Sequence, residues 1–329
     1  MKYKILKLLK ESNDFVSGEQ IGKTFDISRS AVWKNISKLK EAGYEINSVT
    51  NKGYKLNDEI DILNQYEIES RLKTKKFGKS FLCLNEVDST NEEAKRLAQS
   101  EDNRVDDGFF VISEKQTKGK GRLGNNWINS DNLNLAFSIV LKPDLLPSDI
   151  TSITLIAGLS ICKAFRKLGI MAYLKWPNDI IINGKKAVGI LTEISCEVER
   201  INYVIVGIGV NINAEKFDES ISQKATSLFI ETGTHFKRAE ILNAILVEFE
   251  ENYYKFVSAK SFSIFVKEYE SCCLNIGKKI KAISRQGEIM GTAVGISENG
   301  GLIVKDDKND DISIVSGEVS VRLQDGRYI

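Results

Sequence analysis

The sequence holds a single histidine, His235, in 329 residues. It lies in a polar turn, Thr232-Gly233-Thr234-His235, just ahead of a helical stretch. A Ser-His-Asp triad or a histidine-rich zinc site would have to rest on that one residue, which argues against both. The cysteines Cys83, Cys162, Cys196, Cys272 and Cys273 make an odd count and never take C-x-x-C spacing. The adjacent pair Cys272–Cys273 is a poor metal clamp, so these thiols read as buried and reduced in a cytoplasmic protein. Long apolar runs are missing too; none approaches the roughly 20 residues of a membrane span. Met1–Lys10 alternates lysine with Ile and Leu at helical spacing, unlike the apolar centre of a signal peptide. Net charge is nearly absent, +1 overall. That balance conceals an asymmetry, because residues 1–57 carry 11 Lys and Arg against 6 Asp and Glu, and the remainder 35 against 39. A basic head on a slightly acidic body points to a polyanion partner for the head alone, the bland alternative being a solvated face.

What is present is an ordinary globular composition, 42% hydrophobic and 28% charged, over a length that suits two or three domains. We read a head at 1–60, a central domain at 65–272 and a tail domain at 273–329. In the head, Ser17 and Ser28 each stand where a helix N-cap is expected, around the tight turn Phe25-Asp26-Ile27. Ala31, Val32, Ile36 and Leu39 give the second of these helices one buried face, and Gly43 is its expected stop. Alternating runs at 44–49 and 53–56, joined by Thr50-Asn51-Lys52-Gly53, predict a hairpin. That order is the layout of a winged helix-turn-helix. Ser28, Arg29, Ser30, Trp33, Lys34 and Lys38 would face a DNA groove, and Lys52 a phosphate. A linker and short helix fill 58–72. The centre mixes strands with helices at 90–99 and 150–168, and Asn183-Gly184 signals a hairpin, so a mixed α+β sheet is expected. Helical periodicity returns between 237 and 269. Short strands over 278–323, with turns at Arg285-Gln286-Gly287 and Glu298-Asn299-Gly300-Gly301, predict a small SH3-like β-barrel.

Four strings carry the chemistry. Lys118-Gly119-Lys120-Gly121-Arg122-Leu123-Gly124 lies between two predicted strands; its glycines let backbone approach a ligand and its cations suit an anion. It is neither a Walker loop nor a dinucleotide fingerprint. Gln116 flanks it upstream, and Trp127 downstream offers a face to a base or sugar. Lys175-Trp176-Pro177-Asn178-Asp179 brings a cation on a strand to a proline-constrained turn bearing an amide and a carboxylate. Lys186, before Val188-Gly189-Ile190, puts a cation at the mouth of a buried strand, where it would be costly unless paired. Val206-Gly207-Ile208-Gly209-Val210-Asn211 sets glycines in a buried strand, a frequent mark of close approach by a ligand.

Together with Asp88-Ser89-Thr90-Asn91 at a helix start and the head described above, these strings make nearly the whole chain resemble the biotin protein ligases of the bifunctional, repressing type. The glycine-rich loop followed by Lys-Trp-Pro-Asn-Asp is specific to that family. The family loop usually reads Gly-Arg-Gly-Arg-x-Gly-Arg, so Lys120 and Asn125 here replace its first and last arginines. Lysine keeps the charge and loses the bidentate fork. The resemblance implies an AMP-forming ligase that makes biotinyl-AMP from biotin and ATP, with Mg2+, then passes biotin to a lysine of a biotin carboxyl carrier protein. It implies biotin contacts at Ser89, Thr90, Asn91, Gln116, Lys120, Gly121, Arg122 and Lys186, with Lys186, Arg122 and Lys120 catalytic. ATP would meet Gly119, Trp127, Lys175, Asn178, Asp179 and Asn211, with Asp179 helping to hold magnesium. An adenylate-bound homodimer would then occupy operator DNA. A lipoate ligase and a ligand-sensing repressor without ligase activity are the rival readings.

Overall fold

In the computed structural model of the chain, the structure describes residues 1–57, 61–100, 105–127, 132–197, 200–284, 287–315, 320–325 and 327–329. They form two compact units, Met1–Ser70 and Arg71–Ile329.

The first unit holds helices α1 (Lys2–Glu11), α2 (Gly18–Phe25) and α3 (Arg29–Glu41), the hairpin β1 (Ile46–Val49) and β2 (Gly53–Leu56), and the short α4 (Gln65–Glu69). The hydroxyls of Ser17 and Ser28 accept the backbone N–H of Gln20 and Ala31, so both expected caps form. Between them Asp26 takes a left-handed conformation (φ 51°), which turns the chain sharply from α2 to α3. One side of each helix is apolar: Ile5, Leu6 and Leu9 of α1 close with Ile21, Val32, Ile36 and Leu39 into a single core with Ile46 and Leu56. Glu67 is buried beside it, and Lys10 Nζ donates to both its oxygens at 2.7 Å while the Tyr44 hydroxyl donates at 2.8 Å. This pairing is what makes a buried carboxylate tolerable.

The second unit is built on a seven-stranded mixed sheet. Its elements run β3 (Phe81–Val87), α5 (Thr90–Gln99), β4 (Phe109–Gln116), β5 (Leu135–Leu141), α6 (Ile150–Lys167), β6 (Tyr173–Lys175), β7 (Asp179–Ile182), β8 (Lys185–Cys196) and β9 (Ile201–Val210). The strand order is β3-β4-β5-β9-β8-β7-β6, with β3 and β4 parallel and every other pair antiparallel. Asn183 (φ 47°) and Gly184 (φ 80°) make the tight turn from β7 to β8. Residues of β9 alternate between faces. Tyr203 and Ile205 pack with Ala94 of α5, whereas Gly158 of α6 lies against Leu174, Ile180 and Ile190 on the other face. Ile153, Ile156 and Phe165 of α6 are fully buried there, each worth about 1.5–3 kcal/mol.

Helices α7 (Glu219–Ser222), α8 (Leu228–Thr232), α9 (Arg238–Ala259) and α10 (Val266–Cys272) follow. Five strands close the unit: β10 (Lys279–Ser284), β11 (Gly287–Ile296), β12 (Leu302–Lys305), β13 (Asp311–Ile314) and β14 (Ser320–Leu323). They form an antiparallel sheet in the order β13-β12-β11-β10-β14. Among the described residues its edges β13 and β14 are not paired to each other, so what is shown of the tail is a five-stranded antiparallel sheet. The turn expected at Arg285-Gln286-Gly287 lies partly outside the described residues. Cys162, Cys272 and Cys273 are buried free thiols, but Cys83 is half-buried and Cys196 exposed. Cys196 ends β8, where the register with β9 shifts. No helix among the described residues is long and apolar enough to cross a membrane.

Candidate functional site

Two adjoining cavities open at the seven-stranded sheet and share Gly121, Arg122, Trp127, Asn178 and Lys186 in their walls. The first is narrow, about 40 Å³, and takes its polar groups from the start of α5. Ser89, Thr90 and Asn91 are buried there at the end of a helix whose first amides are unsatisfied by the helix itself. The Thr90 backbone N–H and hydroxyl both donate to Gln116 Oε1, at 2.8 and 3.1 Å. Ser138 of β5 holds the other side, its hydroxyl 2.7 Å from Thr90 Oγ1 and 2.6 Å from Asn91 Oδ1. Asn91 Nδ2 donates to Glu193 Oε2 at 2.6 Å. Fixed, uncharged hydroxyls and amides of this kind suit a ligand that both donates and accepts.

The strand glycines do something other than expected. Gly207 leaves room for Asn91, since a Cβ there would stand 2.1 Å from its Oδ1. Gly189 and Gly209 are register partners on neighbouring strands, and the Trp127 indole lies over the pair, within 2.8 and 2.3 Å of where their Cβ atoms would be. The space made by these glycines is thus filled by side chains of the protein. The Trp127 Nε1–H is buried and has no acceptor among the described residues, a donor left for something bound.

The loop that carries Trp127 closes on itself. Gly119 is buried, and a Cβ there would meet the Trp127 carbonyl at 2.4 Å. The Trp127 N–H donates to Gly119 O at 3.0 Å and the Gly121 N–H to Asn125 O at 2.7 Å. Leu123 (φ 56°) and Gly124 (φ 75°) turn the tip, and Asn125 Nδ2 donates to Arg122 O at 2.8 Å. Arg122 reaches inward to donate to Asn178 Oδ1 at 2.9 Å, and burial pulls its guanidinium below the ordinary arginine range against the pull of Asp179. Lys120 pairs with Glu92 at 2.5 Å, and Lys95 joins Glu92 to Glu193 at 3.1 and 2.6 Å. The Lys120 pair holds Glu92 below the usual carboxylate range.

The second cavity, about 330 Å³, is lined by Lys175, Asp179, Asn211, Arg322 and Tyr328 among others. Asp179 is almost wholly enclosed. Lys186 Nζ lies 2.5 Å from Oδ1, Lys175 Nζ 3.7 Å from Oδ2, and the Tyr328 hydroxyl donates to Oδ2. Burial pushes this carboxyl up, but the two ammonium groups prevail and leave it below the usual range. Burial also pulls Lys175 down to about 8, with Asp179 opposing. Lys186 therefore has the partner that its position demanded. Asp179, expected to help hold magnesium, is ion-paired with Lys175 and Lys186, while its Oδ1 makes no hydrogen bond among the described residues. Asp179 thus anchors two lysines at the wall of the second cavity.

In the first unit Ser28, Arg29, Ser30, Trp33, Lys34 and Lys38 of the α3 region and Lys52 at the hairpin tip are all exposed. Trp33 is 65% exposed, far more than packing would leave a tryptophan. An open concavity between the starts of α2 and α3 and the hairpin tip is lined by Arg29, Thr50 and Asn51.

A family model described as the biotin/lipoate A/B protein ligase family matches residues 85–211, an HTH domain model residues 2–55, and a biotin protein ligase C terminal domain model residues 276–322. The bifunctional ligase/repressor BirA of Bacillus subtilis (strain 168) is 36% identical over 296 residues, covering 89% of this chain and 90% of that protein. The chain belongs to the bifunctional biotin ligase/repressor family. The Escherichia coli (strain K12) bifunctional ligase/repressor BirA is 28% identical over 92% of each chain. Among solved structures, the biotin protein ligase from Aquifex aeolicus in complex with biotin and ATP superposes with a TM-score of 0.65 at 36% identity, covering 75% of this chain and 100% of that one.

In this family member, all eight residues expected around biotin line the first cavity. Of those expected around ATP, Trp127, Lys175, Asn178, Asp179 and Asn211 line the second, while Gly119 lines neither and serves to close the loop. Four residues went unnoticed in the sequence. Ser138 left a faint signal, a lone hydroxyl in the apolar run Leu135–Leu141. Glu92, Glu193 and Tyr328 left none, since each meets the site only through tertiary contact.

Proposed function

We propose that this chain joins biotin to ATP as biotinyl-AMP, transfers the biotin to a lysine of a biotin carboxyl carrier protein, and represses transcription through its head. The supporting observation is the shared wall: one cavity of uncharged hydroxyls and amides meets a second, cation-lined cavity at Arg122, Trp127 and Lys186. A vitamin in the first and a nucleotide in the second would bring carboxylate and α-phosphate together at those cations. The carboxylate attacks the α-phosphorus, the bond to pyrophosphate breaks, and no general base is needed. The obstacle is repulsion between two anions, which Lys120, Arg122 and Lys186 offset by charge and positioning. Magnesium enters as the ion of the nucleotide co-substrate. In the second step the carrier amine attacks the anhydride carbonyl and AMP leaves.

We assign the ligase reaction to residues 65–272, with the head at 1–60 and the tail domain, an SH3-like barrel, at 273–329. The β1–β2 hairpin is the wing of a winged helix-turn-helix. Arg29, Ser30, Trp33, Lys34 and Ser28 face a groove of operator DNA, and Lys52 a phosphate. Two heads of an adenylate-bound homodimer would span a two-fold site. The deciding measurement is pyrophosphate release with biotin or lipoate as the acid. Release with biotin alone, falling about 100-fold or more in Lys186→Ala and Arg122→Ala, is the expected result. Release with lipoate instead would mean a lipoate ligase, and release with neither a ligand-sensing repressor.

A further inference from the structure

Tyr328 stands 149 positions from Asp179 in sequence, yet its hydroxyl donates to the Asp179 carboxylate. The Lys175 ammonium lies 3.9 Å from its ring centroid and the Arg322 guanidinium 5.0 Å. The ring is part of the wall of the second cavity. It therefore touches, at one point, two cations suited to a nucleotide's phosphates and the carboxylate that pairs with one of them. Lys175 is only 4% exposed with the ring in place. A cation held over an aromatic face and shut off from water exerts a stronger field than the same cation in solvent. About 330 Å³ of the cavity stays open with Tyr328 present, so the ring acts as wall and not as a stopper.

Resting on the nucleotide assignment above, we propose that Tyr328 is a positioning residue of the ATP site. It fixes the Lys175–Asp179 pair by hydrogen bond and ring contact, and keeps water from Lys175, so that nucleotide affinity depends on it and biotin affinity does not. Asp179 also pairs with Lys186, but Lys186 is held at 2.5 Å through the other oxygen, which Tyr328 does not touch.

The test uses the full chain with Tyr328→Ala and Tyr328→Phe. Binding of α,β-methylene-ATP, which cannot release pyrophosphate, is measured by calorimetry, and KM for ATP and for biotin from pyrophosphate release. Tyr328→Ala should weaken nucleotide binding about tenfold and move KM for biotin by less than about twofold. Tyr328→Phe keeps the ring contact and should lose only about threefold. Unchanged or tighter nucleotide binding in either variant overturns the proposal, as does an equal loss for both substrates. If Tyr328→Ala does not fold, Tyr328→Phe decides by the same criteria. Absence of biotin-dependent pyrophosphate release in the unsubstituted protein would defeat the ligase reading, while the nucleotide titrations would still judge Tyr328.

Discussion

At the scale of single residues, the site depends on where side chains are missing as much as on where they stand. Gly189 and Gly209 leave a flat patch across β8 and β9 on which Trp127 rests. Alanine at 209 would put a methyl about where the indole already lies, and strand backbone cannot move aside cheaply. Gly209→Ala should destabilise the protein by about 1–3 kcal/mol in denaturant unfolding. In a Trp127→Ala background the same change should cost clearly less, because its obstacle is gone. Lys175 makes a second prediction. Its folded value of about 8 lies below the ordinary 10.5, so between the two the unfolded chain binds more protons than the folded one. Its contribution to stability therefore rises with pH across that window. The charge that meets phosphate is lost over the same window, so KM for ATP should rise above about pH 8. Asp179, Lys186, Arg322 and the Tyr328 ring are the charged or titratable groups that face it. An arginine at 175 stays charged, and a pH profile of KM that is flat in the unsubstituted chain would contradict this account.

At the scale of elements, α5 is the part that organises the first cavity. Its opening residues supply Ser89, Thr90 and Asn91, and its first turn supplies Glu92, which ties the loop cation Lys120. What fixes that end of the helix is β5, through Ser138. Ser138→Ala takes the hydroxyl donor from Asn91 Oδ1 and leaves Thr90 Oγ1 with only its bond to Gln116, at a cost of about 1–3 kcal/mol. KM for biotin should rise while KM for ATP stays nearly constant; a change confined to ATP would contradict the placement of α5 at the vitamin end. The helix itself was legible from the Asp-Ser-Thr-Asn start and its apolar spacing. Ser138 was not, because a single hydroxyl in an apolar strand reads the same whether it faces a partner or a void.

At the scale of the whole molecule, the basic head and the slightly acidic body suit the two tasks proposed for them. If the adenylate favours a dimer whose heads meet a two-fold operator, operator affinity should rise with biotin plus ATP. Gel-shift titrations with and without both compounds measure this, and equal affinities would exclude the coupling.

Local chemistry alone determined the helix caps at Ser17 and Ser28, the Asn183-Gly184 turn, the glycine-rich loop and the cation at Lys186, because each needs only neighbours in the chain. Which groups neutralise those cations was decided by the tertiary structure. Asp179 between Lys175 and Lys186, Glu92 on Lys120, Trp127 across two strand glycines and Tyr328 beneath Lys175 all require segments that folding alone brings together. Charge and contact act through space, and sequence spacing carries no record of distances between segments so far apart.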